Sequence, residues 1–455
     1  MDPRFQPNNR HLEEPARFIE LDPQLRRLSQ QYYIHHSALL QQLPIHIPGI
    51  YTLSGGRQIG KTTLLKQWML QLLKQNTPPN AIAFFSGELI EDQHGLLRLL
   101  QEQLKEMPSD GFNYLIIDEV TYIRDWDKAI KYAADINLFD NVIVILTGSD
   151  LALIKEAMMR LPGRRGKASQ VNFHLYPLSF RETVQLTRQN TTELEQCLTQ
   201  KIPDEVAIDM LFAEFYHYLQ HGGFLTAIND LASEQKILDS TLMTYSDWIR
   251  GDMLRRGKQQ HYLQEIIQAI IKRYTSQITW NALAQDLSID HPKTVADYIA
   301  QLELIDAVFV QSALLEDKLV AAPKKSRKVL FTDPFIFHAL HAWISPQTDA
   351  YHQQILPMLQ DPILTAQLVE SCAITLYRRY YPTYYLKAEG EVDIAYIDQG
   401  RFWPIEIKWT QQLRSKDLKQ VLKYPNSRIL TKTKQFGQIQ NLSTEPLPWA
   451  LFNLK

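Results

Sequence analysis

Apolar residues are distributed in two ways along the chain: as short continuous runs and as longer stretches of helical period. IYTLS (50–54), AIAFFSG (81–87), YLIID (114–118) and VIVILTG (142–148) are runs of the first kind and predict fully buried strands. Between them, LLKQWMLQLLKQ (64–75) and similar stretches carry apolar positions three and four apart and predict amphipathic helices. Strands alternating with helices predict an α/β fold with a parallel sheet covered on both faces. Residues 1–45 are polar and periodic enough for one or two helices, and residues 191–270 are almost wholly helical in pattern. Around 275–310 two short helices precede the apolar stretch LIDAVFV. From about residue 363 the pattern is helix, strand, strand, strand, helix, strand.

The segment after the first strand carries the clearest chemistry. Gly55, Gly56, Arg57, Gln58, Ile59, Gly60, Lys61 and Thr62 fit G-x-x-x-x-G-K-[ST], followed by Thr63, between a predicted strand and a predicted helix. The glycines let backbone N–H groups turn toward phosphate oxygens, and the helix N-terminus adds a positive dipole end. Lys61 is expected to reach the β- and γ-phosphates of ATP, and the Thr62 hydroxyl to ligate Mg²⁺. Asp118 and Glu119 end a buried strand 57 residues after Lys61. Asp118 is expected to hold Mg²⁺ through its water shell, and Glu119 to polarise the attacking water. Thr147 and Ser149 end the next strand as candidate sensors of the γ-phosphate. Arg160, Arg164 and Arg165 in RLPGRRGK are candidates for an arginine that stabilises transition-state charge, from the same or a neighbouring subunit.

At 455 residues the chain has room for about three domains at ~150 residues each. Two cysteines exclude a disulfide framework, no apolar signal core opens the chain, and no apolar run approaches the roughly 18 residues of a membrane span. A soluble cytoplasmic protein without a membrane partner is expected. The net charge of −2 declares no partner, but its distribution is uneven. Residues 1–150 hold 14 basic and 18 acidic side chains, whereas residues 401–455 hold 10 basic and 3 acidic. A basic end suits nucleic-acid phosphates.

The middle region reads as a helix-turn-helix followed by a strand, the pattern of a winged helix. Its second helix would present Lys293, Thr294, Asp297 and Gln301, although Asp297 repels phosphate. PKKSRK (323–328), with Lys324 and Lys325, is the better basic contact. Further on, alternation along two strands places Asp393 on one face with Glu391, and Glu406 with Lys408. Pairing those strands can collect Asp393, Glu406 and Lys408, where two hard carboxylates suit Mg²⁺ and the lysine can stabilise a charged phosphate. This is the D…E-x-K pattern of PD-(D/E)XK nucleases, which it resembles. In that fold Glu370 matches the acid of the preceding helix, and Gln420 and Tyr424 resemble the Q-x-x-x-Y helix of its recombination-repair branch. Lys416, Lys419 and Lys423 are candidate DNA contacts beside them.

GGRQIGKTTLLKQ, YLIIDEV, ILTGS, LPGRRGKASQVNFHLYPLSFRE and KVLFTDPFIFHAL together resemble a group of bacterial and archaeal AAA-type P-loop ATPases with a C-terminal, restriction-endonuclease-like domain of unknown function. The resemblance covers about residues 45–430; together with the helical pattern of residues 1–45 it gives the expected division into an N-terminal helical segment (1–45), an ATPase core (46–190), a helical lid (191–270), a winged helix (271–325), and a linker with a nuclease-like α/β domain (326–455). That family usually has Gly-Arg where this chain has Gly163-Arg164, which singles out Arg164; the chain departs from it in reading TGSD at the sensor strand. Two functions are expected as rivals. One is an oligomeric, Mg²⁺-dependent ATPase that binds or remodels duplex or branched DNA, such as a Holliday junction, as a helicase or branch-migration motor. The other is an ATP-dependent switch in signalling or anti-phage defence that does not process DNA.

Overall fold

The four apolar runs become strands of one parallel sheet in the computed structural model, which describes the chain except residues 149–153, Lys155, Met158, Asp290, residues 411–417 and Lys455. Ser149 and Lys416 therefore lie outside the described residues. The chain divides into two units, Met1–Tyr176 and Pro177–Lys455. The first holds β1 (Gly49–Ser54), β2 (Ile82–Ser86), β3 (Asn113–Asp118), β4 (Val142–Gly148) and β5 (Asn172–His174). Their order is β2-β3-β4-β1-β5, with every neighbouring pair parallel. Strand β5 is too short to show a sequence pattern.

Alternation along the strands feeds two core layers. Tyr51, Leu53, Phe84 and Ile116 pack with Leu65, Trp68 and Leu72 of the helix Lys61–Lys74. Ile50, Phe85, Leu115 and Ile117 pack with Leu96 and Leu100 of the helix Gln93–Glu106 and Ile130 of the helix Trp126–Asp135. Each side chain of this size contributes ~1.5–3 kcal/mol by leaving water.

Residues 1–45 differ from the expected one or two helices. Pro3, Pro7, Pro15 and Pro23 interrupt them, leaving 3-10 turns and the short α-helices Phe18–Leu21, Pro23–Ser29 and Leu39–Gln42. The segment belongs to the first unit and covers the edge strand β2. The Asn9 side chain donates to the Phe84 carbonyl and accepts from the Phe84 N–H, both at 2.8 Å, and His11 Nε2 lies 3.0 Å from the Ile82 carbonyl. Phe5 stacks edge-on against Phe85 at 4.9 Å. Lys66, on the helix after the glycine loop, is buried with Asp22 at 3.0 Å and sits 4.0 Å over the Phe84 ring.

The second unit begins with helices, among them Glu205–His221, Asp239–Arg255 and Gln260–Lys272. Helices Trp280–Ala284 and Pro292–Leu304 follow, then β6 (Val308–Ser312), the small ribbon β7 (Leu314–Leu315) and β8 (Val320–Ala321), and β9 (Arg327–Phe331), which pairs antiparallel with β6. Strand β9 starts beyond residue 325, the expected end of the winged helix, so the start of the expected linker is a strand paired with β6. The turn Gly222-Gly223 is tied to Asp333, which accepts from the Gly223 N–H at 2.9 Å and caps the helix Pro334–Ile344. Gly222 has φ +54 and a Cβ there would run into the Asp333 carboxylate, so only glycine fits.

A six-stranded mixed sheet completes this unit: β10 (Thr383–Lys387), β11 (Glu391–Asp398), β12 (Arg401–Lys408), β13 (Arg428–Thr431), β14 (Gly437–Ile439) and β15 (Leu442–Pro446), in order β10-β11-β12-β13-β15-β14. The helix Pro362–Arg378 packs on β11, and β12 and β13 are parallel. Two strands and a last helix, Leu447–Phe452, exceed the expected pattern. The expected helix around Gln420 and Tyr424 is, among the described residues, a single 3-10 turn, Val421–Lys423. Pro425 holds Tyr424 in an extended conformation (φ −113, ψ 104) that ends the turn.

Candidate nucleotide site and carboxylate cluster

The glycine loop leaves β1 and enters its helix through two left-handed residues, Gln58 (φ 57) and Gly60 (φ 97). A Cβ at Gly60 would meet nothing within 4 Å, so dihedral strain alone selects glycine there. Lys61 folds back on the loop and donates to the carbonyls of Gly55 and Gly56 at 3.0 Å each, with Glu119 Oε1 at 3.5 Å. Arg57 donates to the Tyr122 hydroxyl at 2.5 Å, a partner that the sequence did not single out.

Strand order explains how the acids are held. Strand β4 lies between β1 and β3, so Thr147 at its end stands beside Asp118. The Thr62 hydroxyl donates to Asp118 Oδ2 at 2.6 Å, the Thr147 hydroxyl donates to Asp118 Oδ1, and the Glu119 N–H donates to Thr147 Oγ1 at 2.9 Å. Burial pushes the Asp118 carboxyl above its ordinary range, and the two hydroxyls oppose that shift. Thr147 thus brackets the acid pair, its hydroxyl donating to Asp118 and accepting from the Glu119 N–H. Glu119 is left-handed (φ 53), and a Cβ at Gly87 would collide with its carbonyl. Gly87 is therefore part of this site, legible in sequence only as the last letter of AIAFFSG.

The donor set fits a nucleotide with its cation. A hydroxyl and a carboxylate in contact, Thr62 and Asp118, are the hard oxygen donors that Mg²⁺ takes, and a buried ammonium stands at a glycine loop. The three arginines are all engaged within the chain. Arg164 is ion-paired with Asp135, and Arg160 with Asp127 (2.8 Å) and Glu156 (2.5 Å). Arg165 donates to the Val171 carbonyl and Asn172 Oδ1, both at 2.8 Å, which makes it a clamp on the start of β5.

In the second unit Glu370, Glu391 and Asp393 converge, their nearest carboxylate oxygens all within 4.8 Å of one another. Asp393, just before Ile394, and Glu406, just after Ile405, lie next beyond the last pair of the β11–β12 ladder, and Asp393 Oδ2 accepts the Ile407 N–H at 2.8 Å. Lys408 pairs with Glu406. The sequence reading put Glu391 beside Asp393 without giving it a role, and missed Lys328. That lysine lies on β9, 1% exposed, with its ammonium 2.7 Å from Glu370, in contact with Glu391 and 3.9 Å from Asp393. Burial raises the carboxyls of Glu370 (to about 7), Asp393 and Glu406, whereas burial of Lys328 is outweighed by Glu370, Asp393 and Glu391, which keep it an ammonium.

Several expected contacts are engaged within the chain. Of PKKSRK, Lys328 is buried and Arg327 lies 4.5 Å over the Trp280 ring, whereas Lys324 and Lys325 are exposed, Lys325 donating to the Lys387 carbonyl at 3.2 Å. On the helix Pro292–Leu304, Asp297 pairs with Lys258, and Gln301 accepts from Arg256 at 2.9 Å. Gln420 is buried beside Gly390, whereas the Tyr424 hydroxyl donates to Glu316 at 3.1 Å. Lys419 is exposed, and Lys423 pairs with Glu389 at 2.6 Å.

Residues 48–184 match the AAA domain family. Residues 213–347 match a family described as a domain of unknown function (DUF8612). The latter ends before the helix that carries Glu370. No curated protein is significantly similar to the chain. Among solved structures, the Walker-type ATPase PABY2304 of Pyrococcus abyssi is similar over 64% of this chain and 91% of that chain, with 15% identity and a TM-score of 0.41. The Orc1 protein of Aeropyrum pernix in complex with DNA is similar over 73% of this chain and 96% of that one, with 12% identity and a TM-score of 0.31. Sheet order, glycine loop and family match together support an AAA-type P-loop ATPase domain at residues 48–184. No helix among the described residues is long and apolar enough to cross a membrane.

Proposed function

We propose that the chain is a Mg²⁺-dependent ATP hydrolase that works on DNA, its second unit gripping the duplex or a branch point. The observation that carries the ATPase reading is the hydrogen-bonded set Thr62–Asp118–Thr147–Glu119 facing Lys61. Lys61 exchanges its two loop carbonyls for the β- and γ-phosphates of ATP. Thr62 and Asp118 would hold Mg²⁺, which when bound neutralises charge on the phosphate oxygens. Glu119 accepts the proton of the attacking water, and its left-handed backbone, pinned by Thr147 and Gly87, fixes its direction. Arg164 serves a neighbouring copy in a homo-oligomer after leaving Asp135. The protein works in the cytoplasm.

The DNA reading is supported by the basic end of the chain, the helix-turn-helix with its ribbon read as a winged helix, and acids on β11 and β12 in the D…E-x-K pattern. Lys324, Lys419 and Lys423 are the phosphate contacts. One observation favours the rival switch function: the carboxylate cluster is filled by Lys328 from within. The test is ATP turnover on single-stranded, duplex, forked and four-way DNA. Stimulation by at least one DNA is expected, with Glu119→Gln keeping ATP binding and losing turnover by about 100-fold or more. Unchanged turnover in Glu119→Gln overturns the catalytic assignment, and turnover indifferent to every DNA leaves the switch.

A further inference from the structure

Three carboxylates around one point form a cage of the kind that holds a divalent cation. Here the cage already has an occupant supplied by the same chain. Strand β9 delivers the Lys328 ammonium to Glu370 at 2.7 Å, to Glu391 in contact, and to Asp393 at 3.9 Å. Two glutamines fasten the arrangement. Gln311, opposite Lys328 in the β6–β9 register, donates to the Asp393 carbonyl at 2.9 Å, and Gln277 donates to Glu391. Beside the cluster, within electrostatic reach of Asp393, Glu406 is 4% exposed and its Oε2 has no hydrogen-bond partner among the described residues, although its other oxygen meets Lys408. A buried carboxylate oxygen without a partner calls for an explanation, and an empty ligand position beside Asp393 supplies one.

We infer that Lys328 is a built-in counter-ion that takes the place of a divalent cation in the Glu370–Glu391–Asp393 cluster, so that while β9 is docked the C-terminal sheet binds its partner without metal and does not cut phosphodiesters. The two occupants exclude each other sterically. A cation would need the carboxylate oxygens at roughly 2.0–2.6 Å from the centre where the ammonium now stands. The lysine has a further advantage, because its strand holds it in place while a free ion must be captured from solution. Its removal would leave buried like charges uncompensated, which explains why this site tolerates an ammonium it does not need for solubility. The inference rests on the nuclease-like reading of the sheet only for its last clause. Cation uptake tests the lysine and DNA affinity tests the reading, so either can fail alone.

The experiment is Mn²⁺ titration of the nucleotide-free full chain, followed by loss of the free-ion electron paramagnetic resonance signal. Every arm carries Asp118→Asn, so that the ATPase cation site stays silent. In this parent, adding Asp393→Asn is expected to leave Mn²⁺ uptake unchanged. Lys328→Met is expected to gain one Mn²⁺ site at least 10-fold tighter than any in the parent, and Asp393→Asn should abolish that gain. An Asp393-dependent Mn²⁺ site in the parent overturns the inference, as does a folded Lys328→Met chain that gains none. If Lys328→Met does not fold, the parent comparison still decides: Asp393-dependent uptake overturns the inference, and uptake indifferent to Asp393 upholds it.

Discussion

Lys61 and Lys328 are both buried ammonium groups beside acids, yet their surroundings set them different tasks. Lys61 rests on two neutral carbonyls, with the Glu119 carboxylate further off at 3.5 Å. Lys328 is wrapped by three carboxylates at one point. A carbonyl is a weak partner that a phosphate outbids, so the first lysine is available to a ligand. Carboxylates are already the strongest acceptors a protein offers, so the second is spent within the chain. The acids differ in the same sense. Asp118 is held by two hydroxyls, which leave its charge to be used, whereas the carboxyls around Lys328 have theirs consumed.

The largest effect expected from this contrast comes from exchanging each lysine for a neutral residue. Lys61→Ala should abolish ATP binding or hydrolysis with little change in the unfolding midpoint, because only a ligand loses its partner. Lys328→Met should act the other way round and destabilise the second unit by ~3–5 kcal/mol, since buried acids lose theirs. Nucleotide-binding fluorescence and thermal melts of both variants check this, and similar losses of stability would dissolve the contrast.

A smaller effect concerns pH. Glu370 is raised from the ordinary 4.5 to about 7, mainly by burial, with Asp393 and Glu391 reinforcing the shift and Lys328 opposing it. Its folded form holds a proton that the unfolded chain releases. The stability it contributes is therefore complete below about 4.5 and lost as pH rises through about 7. The unfolding midpoint of the second unit, where six of the eight tryptophans lie, should fall by several degrees between pH 5 and pH 8. Glu370→Gln should flatten that slope; an unchanged slope would place the titrating group elsewhere.

The smallest effect is expected at the exposed lysines. Neutralising Lys419 and Lys423 should weaken binding to all duplex sequences alike and lower the salt dependence by about one ion per lost contact. Fluorescence anisotropy at two salt concentrations measures it, and a loss confined to one sequence would assign base reading instead.

Much of the first unit was legible because its information is local. Strands buried on both faces show as unbroken apolar runs, and the phosphate loop is contiguous, so β1 to β4 and Lys61, Thr62, Asp118 and Glu119 could be read in order. What escaped depends on partners far apart in the chain. Asn9 answers Phe84 across 75 residues, and Thr147 reaches Asp118 only because β4 lies between β1 and β3. Lys328 was misread for a related reason: the last lysine of PKKSRK looks solvated until the ribbon turns it toward Glu370. The alternation of β11 placed Glu391 beside Asp393, but nothing local said what the pair would face. Tyr424 was placed on a helix by motif, against the signal of Pro425 immediately after it.

The Asn9 clasp on β2 bears on how the chain survives its own synthesis. The first dozen residues leave the ribosome long before Ile82–Ser86, and they have no sheet to lie on until β2 has been made. Between the pairing of β2 into the sheet and the seating of this segment, the nascent domain has an unguarded border, open to strands of neighbouring chains. Asn9 and His11 then act as a latch that closes last, satisfying the two carbonyls and one N–H through which another polypeptide would dock. Mutations in this stretch would thus be felt as inclusion bodies and proteolysis in the cell, long before any purified enzyme showed a fault in its chemistry.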